Sequence, residues 1–155
     1  MYFRQERNVH LSILYYLETQ MASDWSNVNV VIGFNEAYGL SLPIVTIDDL
    51  STRHRLKEIG NTSLLQRQDI IIDIFAKSHP MRQDLASYVI EKLADGCVYY
   101  THSHASGDNT TIVRTSSGRI RLVSVLEDRK VEFGEDVDAH DRYRHKIHIV
   151  VENSQ

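Results

Sequence analysis

The apolar residues of this chain recur with two periods, one near 3.6 residues and one of 2, and the switches between them mark its elements. From about Gln5 to Ala22, Val9, Ile13, Leu14, Leu17 and Met21 follow at steps of four, one, three and four. That spacing predicts a helix with one apolar stripe, Arg7, Glu18 and Gln20 lying on its other faces. Asp24, Ser26 and Asn27 then mark a loop, and Val28 to Phe34 reads as a strand with Val28, Val30 and Ile32 on one face. Gly33 and Gly39 flank a short polar link to Pro43, a residue tolerated at the start or the outer edge of a strand.

Leu42 to Lys77 is the centre of the pattern: two long β-type runs joined by a turn at Gly60 and Asn61. In the second run Ile70, Ile72 and Ile74 share one face, while Ile71 and Phe75 share the other with Asp69 and Asp73. A strand with apolar residues on both faces belongs in the middle of a sheet, one face on the core and the other partly covered. Ser78 or His79 then caps a second helix with Pro80 in its first turn, where the missing N–H costs little. Leu85, Ala86, Val89, Ile90 and Leu93 form its stripe, and Gly96 stands where a left-handed C-terminal residue is wanted.

The remaining pattern is β. Val98 to Thr101 reads as a short strand followed by a polar loop, HSHASGDNTT. Arg119 to Leu126 alternates, with Ile120, Leu122 and Leu126 on one face and Arg119, Arg121, Val123 and Val125 on the other. From Tyr143 to Val151, Tyr143, His145, Ile147, Ile149 and Val151 oppose Arg144, Lys146, His148 and Val150, so one face is buried and one is wet. Two helices and about six strands in this order predict an α+β fold: a mixed, mainly antiparallel β-sheet with two helices packed on one face. Function is expected in the two long loops, Ser103 to Gly118 and Asp128 to Asp141.

At 155 residues the chain has the length of one domain, 1–155, able to bury about 68–70% of its unfolded surface. With 42% hydrophobic and 25% charged residues it has the composition of a soluble globular protein. The single cysteine, Cys97, excludes an internal disulfide framework, and no apolar run reaches the roughly 20 residues of a membrane span. The first residues, MYFRQERNVH, lack the apolar stretch of a secretory signal, which points to a reducing cytoplasm. The net charge of −4 is uneven: Glu132, Glu135, Asp136, Asp138 and Asp141 stand together with no Lys or Arg among them. Such a balance counts against tight duplex binding.

Candidate chemistry is sparse. His102 and His104 lie on one face of an extended segment, close enough to share a metal, with Asp108 as a further ligand, an arrangement that a metal-dependent hydrolase would need. The bland alternative, a solvated histidine pair at a strand end, weighs more. His145 and His148 fall on opposite faces and form no pair. No Gly-x-Ser-x-Gly elbow, phosphate-cradling glycine loop or Cys-His signature occurs, so nothing argues for catalysis or a cofactor. Ser106-Gly107-Asp108-Asn109 reads as a turn, because no helix opens after it.

The succession LPIVTIDDLSTRHRLKEIGNTSLLQRQDIIIDIFAKS, followed by the proline-started helix MRQDLASYVIEKL, resembles the tail terminator proteins of tailed bacteriophages. The resemblance runs from the first helix through the RYRHKIHIVV strand and rests on the order of elements. It implies a structural virion protein without catalytic residues. The subunit forms a ring, hexameric in the family, at the head-proximal end of the tail tube, ends tube polymerisation and joins the tail to the neck. The partners it implies are further copies of the chain, the tail tube protein and the neck or connector protein. The implied location is the virion's tail or neck, after assembly in the host bacterial cytoplasm. A head-completion or neck adaptor protein of the same virion is the alternative, a metal-dependent hydrolase using His102 and His104 comes third, and an intracellular peptide-binding module is also compatible with an exposed sheet edge.

Within that picture the acidic segment, Glu132, Glu135, Asp136, Asp138 and Asp141, is expected to line the channel. There its charges would repel phosphates over a Debye length of about 8–10 Å, so that DNA passes without specific binding. Its bland alternative is a solvated loop. Tyr143, Arg144 and Lys146 are expected at the interface between subunits, pairing head to tail with opposite charge.

Overall fold

A computed structural model of the chain describes residues 5–56, 64–105, 107, 110–133 and 137–154. The turn expected at Gly60 and Asn61 lies outside the described residues, as do Ser106, Asp108, Asn109, Glu135 and Asp136.

The elements are α1 (Gln5–Asp24), β1 (Asn29–Ile32), a 3₁₀ helix (Phe34–Gly39), β2 (Ile44–Leu56), β3 (Leu64–Phe75), α2 (His79–Ala94), β4 (Cys97–His104), β5 (Ile112–Val131) and β6 (Arg144–Ser154). The six strands make one sheet in the order β1-β2-β3-β6-β5-β4. Only β1 and β2 run parallel; every other pairing is antiparallel. The fold is therefore α+β with a mixed, mainly antiparallel sheet, and both helices pack on one of its faces. α1 lies against β4 at one edge of the sheet and against β1 and β2 at the other, so the sheet curls around it.

The two helical periods translate directly into burial. Val9, Ile13, Leu17 and Met21 of α1, and Leu85, Ala86, Val89 and Leu93 of α2, enter one core with the inner face of the sheet. α2 begins as its sequence dictates, with the Ser78 Oγ accepting the Met81 N–H at 3.3 Å and Pro80 in the first turn. It ends at Gly96, whose φ of +75° and a neighbouring Ile120 carbonyl oxygen, 2.9 Å from where a Cβ would stand, both require glycine.

Strand β3 is central, between β2 and β6. Ile70, Ile72 and Ile74 are fully buried against the helices, each such side chain contributing about 1.5–3 kcal/mol. On the outer face Phe75 joins Ile44 and Ala37 in a second, smaller cluster that Leu40 and Leu42 border. The cover there is the 3₁₀ helix, a segment that reads from sequence as a polar link. Its Ala37 is buried because the chain must turn back over Phe75 to start β2. The rest of the outer face carries charge. Arg67 meets Glu152 at 3.1 Å and His148 meets Asp69 at 3.4 Å, across neighbouring strands.

The expected strand ends move outward in two places. β4 runs through His104, so the two histidines are strand residues, and β5 starts already at Ile112. The polar run TIVRTSS pairs with β4 while remaining exposed, and without a buried face it leaves no period-2 signal. Leu126, expected beside Ile120 and Leu122, is not with them. Register shifts between Leu122 and Ser124, and again between Val125 and Glu127, insert one extra residue each. Leu126 is the second of these and is 54% exposed, against 2% for Ile120.

Candidate functional site

Strand β5 carries the most unusual surface of the molecule. Its first half pairs with β4 up to Ile120, its second half pairs with β6 from Arg119 to Val131, and the two pairings scarcely overlap. Each half therefore has a neighbour on one side only among the described residues. Ile112, Val113, Val123, Val125 and Leu126 are all exposed along it, and Phe133, 47% exposed, follows past its end. Ile112 and Val113 point to opposite faces of the strand, whereas Val123, Val125 and Leu126 stand close together around the two bulges. Exposed apolar side chains scattered singly are ordinary, and a group of them marks a surface suited to another protein. The local signal in the sequence is the adjacent apolar pair Val125 and Leu126, which regular alternation would place on opposite faces. A broken alternation in a strand is what a bulge produces.

The acidic segment follows β5, and its described members differ in what they do. Glu132 is exposed, and Lys130 beside it holds its carboxyl below the usual carboxylate range. Asp138 is exposed as well. Asp141, by contrast, is bound inside the chain. It accepts the Tyr38 hydroxyl at 2.8 Å and the Arg144 guanidinium at 3.2 Å, and burial together with that carboxylate raises the Tyr38 hydroxyl above its ordinary range. A carboxylate so engaged cannot also face a channel as a free charge.

Arg144 is the hub of that contact. Its other terminal nitrogen lies 3.2 Å from Asp73 on β3, and its guanidinium stacks 4.7 Å from the Phe75 ring centroid and 5.4 Å from that of Phe133. Tyr143 packs at the margin of the main core with its ring 4.8 Å from His79. Lys146 is half-buried and reaches Glu127 at 3.7 Å. The three residues expected between subunits thus make their contacts within the chain. The strands that meet at Arg144 are far apart in sequence, so no local pattern announces the pairing.

A second polar centre was not visible in the sequence. His145, on the inner face opposite Ile74, lies between α2 and β5. Its Nδ1 is 2.6 Å from an Arg82 nitrogen, and its Nε2 contacts the Asp128 carboxylate. A guanidinium only donates, so Nδ1 accepts and the ring proton sits on Nε2, which donates to Asp128. A histidine oriented by a carboxylate resembles half of a general-base arrangement. Here the nitrogen that would take the proton is occupied by Arg82, and the group acts as a clamp fastening α2 to β5 and β6.

His102 and His104 part company on β4. His102 is buried; its Nδ1 and its backbone N–H both donate to the Oδ1 of Asn8 on α1, at 3.0 and 3.1 Å. Burial, with Arg114 and Arg7 nearby, holds its imidazole below the usual histidine range. His104 is half-buried, and Asp108 lies outside the described residues. Among the described residues no group of three or more His, Cys, Asp or Glu side chains could hold a metal ion. Cys97 is buried, which pushes its thiol up to about 12 and leaves it unreactive as a nucleophile. Among the described residues no helix is long and apolar enough to cross a membrane.

No model of a known protein family matches the chain, and no curated protein matches it either.

Proposed function

We propose that the chain is the subunit of a ring at the head-proximal end of a phage tail tube, where it ends tube polymerisation and joins the tail to the neck. The observation that supports this best is the group of exposed apolar side chains, Val123, Val125 and Leu126, around the bulges of β5. A subunit with such a group gains by covering it, and identical subunits related by rotation cover it in a closed ring. The acidic segment begins directly after the same strand, and Glu132 and Asp138 are its exposed members among the described residues. In a ring they supply negative charge to the inner wall and let DNA slide past. The reading requires no catalytic group, and the clamped ring of His145 suits a purely structural role.

The test uses purified protein and isolated phage tail tubes, with light scattering to count subunits and electron microscopy to locate them. Native protein is expected to form closed rings and to cap tube ends. Val125→Glu with Leu126→Glu changes only exposed positions, and this variant is expected to stay folded, remain monomeric and leave tubes uncapped. Native protein that is monomeric in every condition and never associates with a tube end overturns the proposal.

A further inference from the structure

The two edges of the sheet are finished differently. On β4 the outward backbone donors are satisfied by α1: the Ser12 Oγ accepts the Tyr100 N–H at 2.9 Å, and the Asn8 Oδ1 accepts the His102 N–H at 3.1 Å. That edge is closed. On β1 the Asn29 N–H donates to the Pro43 carbonyl at 3.1 Å and the Gly33 N–H to the Ile47 carbonyl at 3.0 Å, both toward β2. Strand geometry then turns the N–H and C=O of Val30 and Ile32 the other way, where, among the described residues, the sheet has no further strand.

A groove of about 500 Å³ runs along this open edge. Leu14 and Glu18 of α1 form one wall, Glu36 of the 3₁₀ helix and Leu40 just after it form the other, and Val30 and Ile32 lie at its base. An adjoining recess of about 580 Å³ continues past Glu18 and Val30 toward Trp25. Each wall thus offers one apolar and one acidic side chain. Among the described residues neither Glu18 nor Glu36 has an ion-pair partner. Burial raises the Glu18 carboxyl above the usual carboxylate range despite the pull of Arg114, so its surroundings favour an arriving cation.

We infer that this groove takes an extended peptide segment of a partner protein as an added strand beside β1, and that Glu18 and Glu36 select segments carrying Lys or Arg among apolar residues. The backbone of Val30 and Ile32 supplies the pairing, which is independent of side-chain identity. The walls supply the choice of sequence, because successive side chains of an extended peptide point alternately to α1 and to the 3₁₀ helix. The inference does not rest on ring assembly, which uses the opposite side of the sheet order.

The test is selection of a displayed library of random eight-residue peptides on native protein, with counter-selection on Glu18→Lys/Glu36→Lys. Both positions are exposed, and an unchanged thermal unfolding curve verifies that the variant is folded. Enriched peptides are expected to combine Val, Ile or Leu with Lys or Arg. As fluorescein-labelled synthetic peptides they are expected to bind native protein at least tenfold more tightly than the variant, and to lose at least tenfold on methylation of alternate backbone nitrogens. The inference is overturned if no peptide prefers native protein, or if methylation leaves binding intact. It is also overturned if the double substitution instead dissolves an oligomer of the native chain, since the occupant is then a second copy.

Discussion

Replacing Asn8 by alanine probes the contact that ties α1 to the edge of the sheet. The Asn8 Oδ1 accepts two hydrogen bonds from His102, one from the backbone N–H and one from the ring Nδ1–H, and its Nδ2 lies 3.4 Å from the Tyr99 hydroxyl. Asn8 and His102 are both buried, at 3% exposure each. Alanine leaves both His102 donors facing a methyl group in a region without ready access to water. A buried donor deprived of its acceptor costs about 1–3 kcal/mol, so the expected loss for two is roughly 2–6 kcal/mol. That is a large part of the total stability of a domain, typically about 5–15 kcal/mol. Urea unfolding followed by far-ultraviolet circular dichroism at pH 7.5 measures it. The double variant Asn8→Ala/His102→Ala removes one of the two stranded donors, so its cost is expected to fall short of the sum of the single costs. A loss below about 1 kcal/mol for Asn8→Ala, with strictly additive singles, would refute the edge-capping argument.

Two further outcomes follow from buried charge. Burial is the first cause of a lowered imidazole pKa at both His10 and His102, so in the folded state these rings resist protonation while in the unfolded chain they titrate near 6.5. The unfolded state therefore binds more protons as the pH falls through that value. Stability is complete above it and is lost below it, with a slope of up to about 1.4 kcal/mol per pH unit for each histidine. Urea midpoints between pH 7.5 and 5.5 measure the slope, and His102→Gln is expected to reduce it; a flat profile contradicts the assignment. Arg144→Ala leaves Asp73, 6% exposed, without its cation and is expected to cost about 3–5 kcal/mol. Arg144→Met with Asp73→Asn is expected to recover most of that loss in thermal unfolding, and failure to do so would place the importance of Arg144 elsewhere.

Much of the fold was legible from period alone. The stripes of α1 and α2, the three isoleucines of β3 and the alternation of β6 each name a buried face, because burial of apolar side chains is what creates a period. Ser78, Pro80 and Gly96 bounded α2 for reasons confined to a few neighbouring atoms. The failures have one cause in common. The 3₁₀ helix looks polar because only Ala37 is buried, the first half of β5 has no buried face at all, and the bulges at Val123 and Leu126 answer to the path of β6.

The candidate sites divide along the same line. Glu132 and Asp138 could be recognised as exposed charges from the sequence, since a run of carboxylates with no cation inside it favours solvent; the pairing of Glu132 with Lys130, just outside the run, is local as well. That Asp141 is held by Tyr38 across 103 residues, that Arg144 reaches Asp73 across 71, and that Asn8 meets His102 across 94 are matters of tertiary structure. The sequence by itself determined the apolar faces of α1, α2, β3 and β6 that leave water, because a period depends on each side chain's own chemistry and on its neighbours along the chain. Only the folded sheet decided which polar groups meet and which strand edge stays open, because both depend on segments brought together by the curl of the sheet around α1.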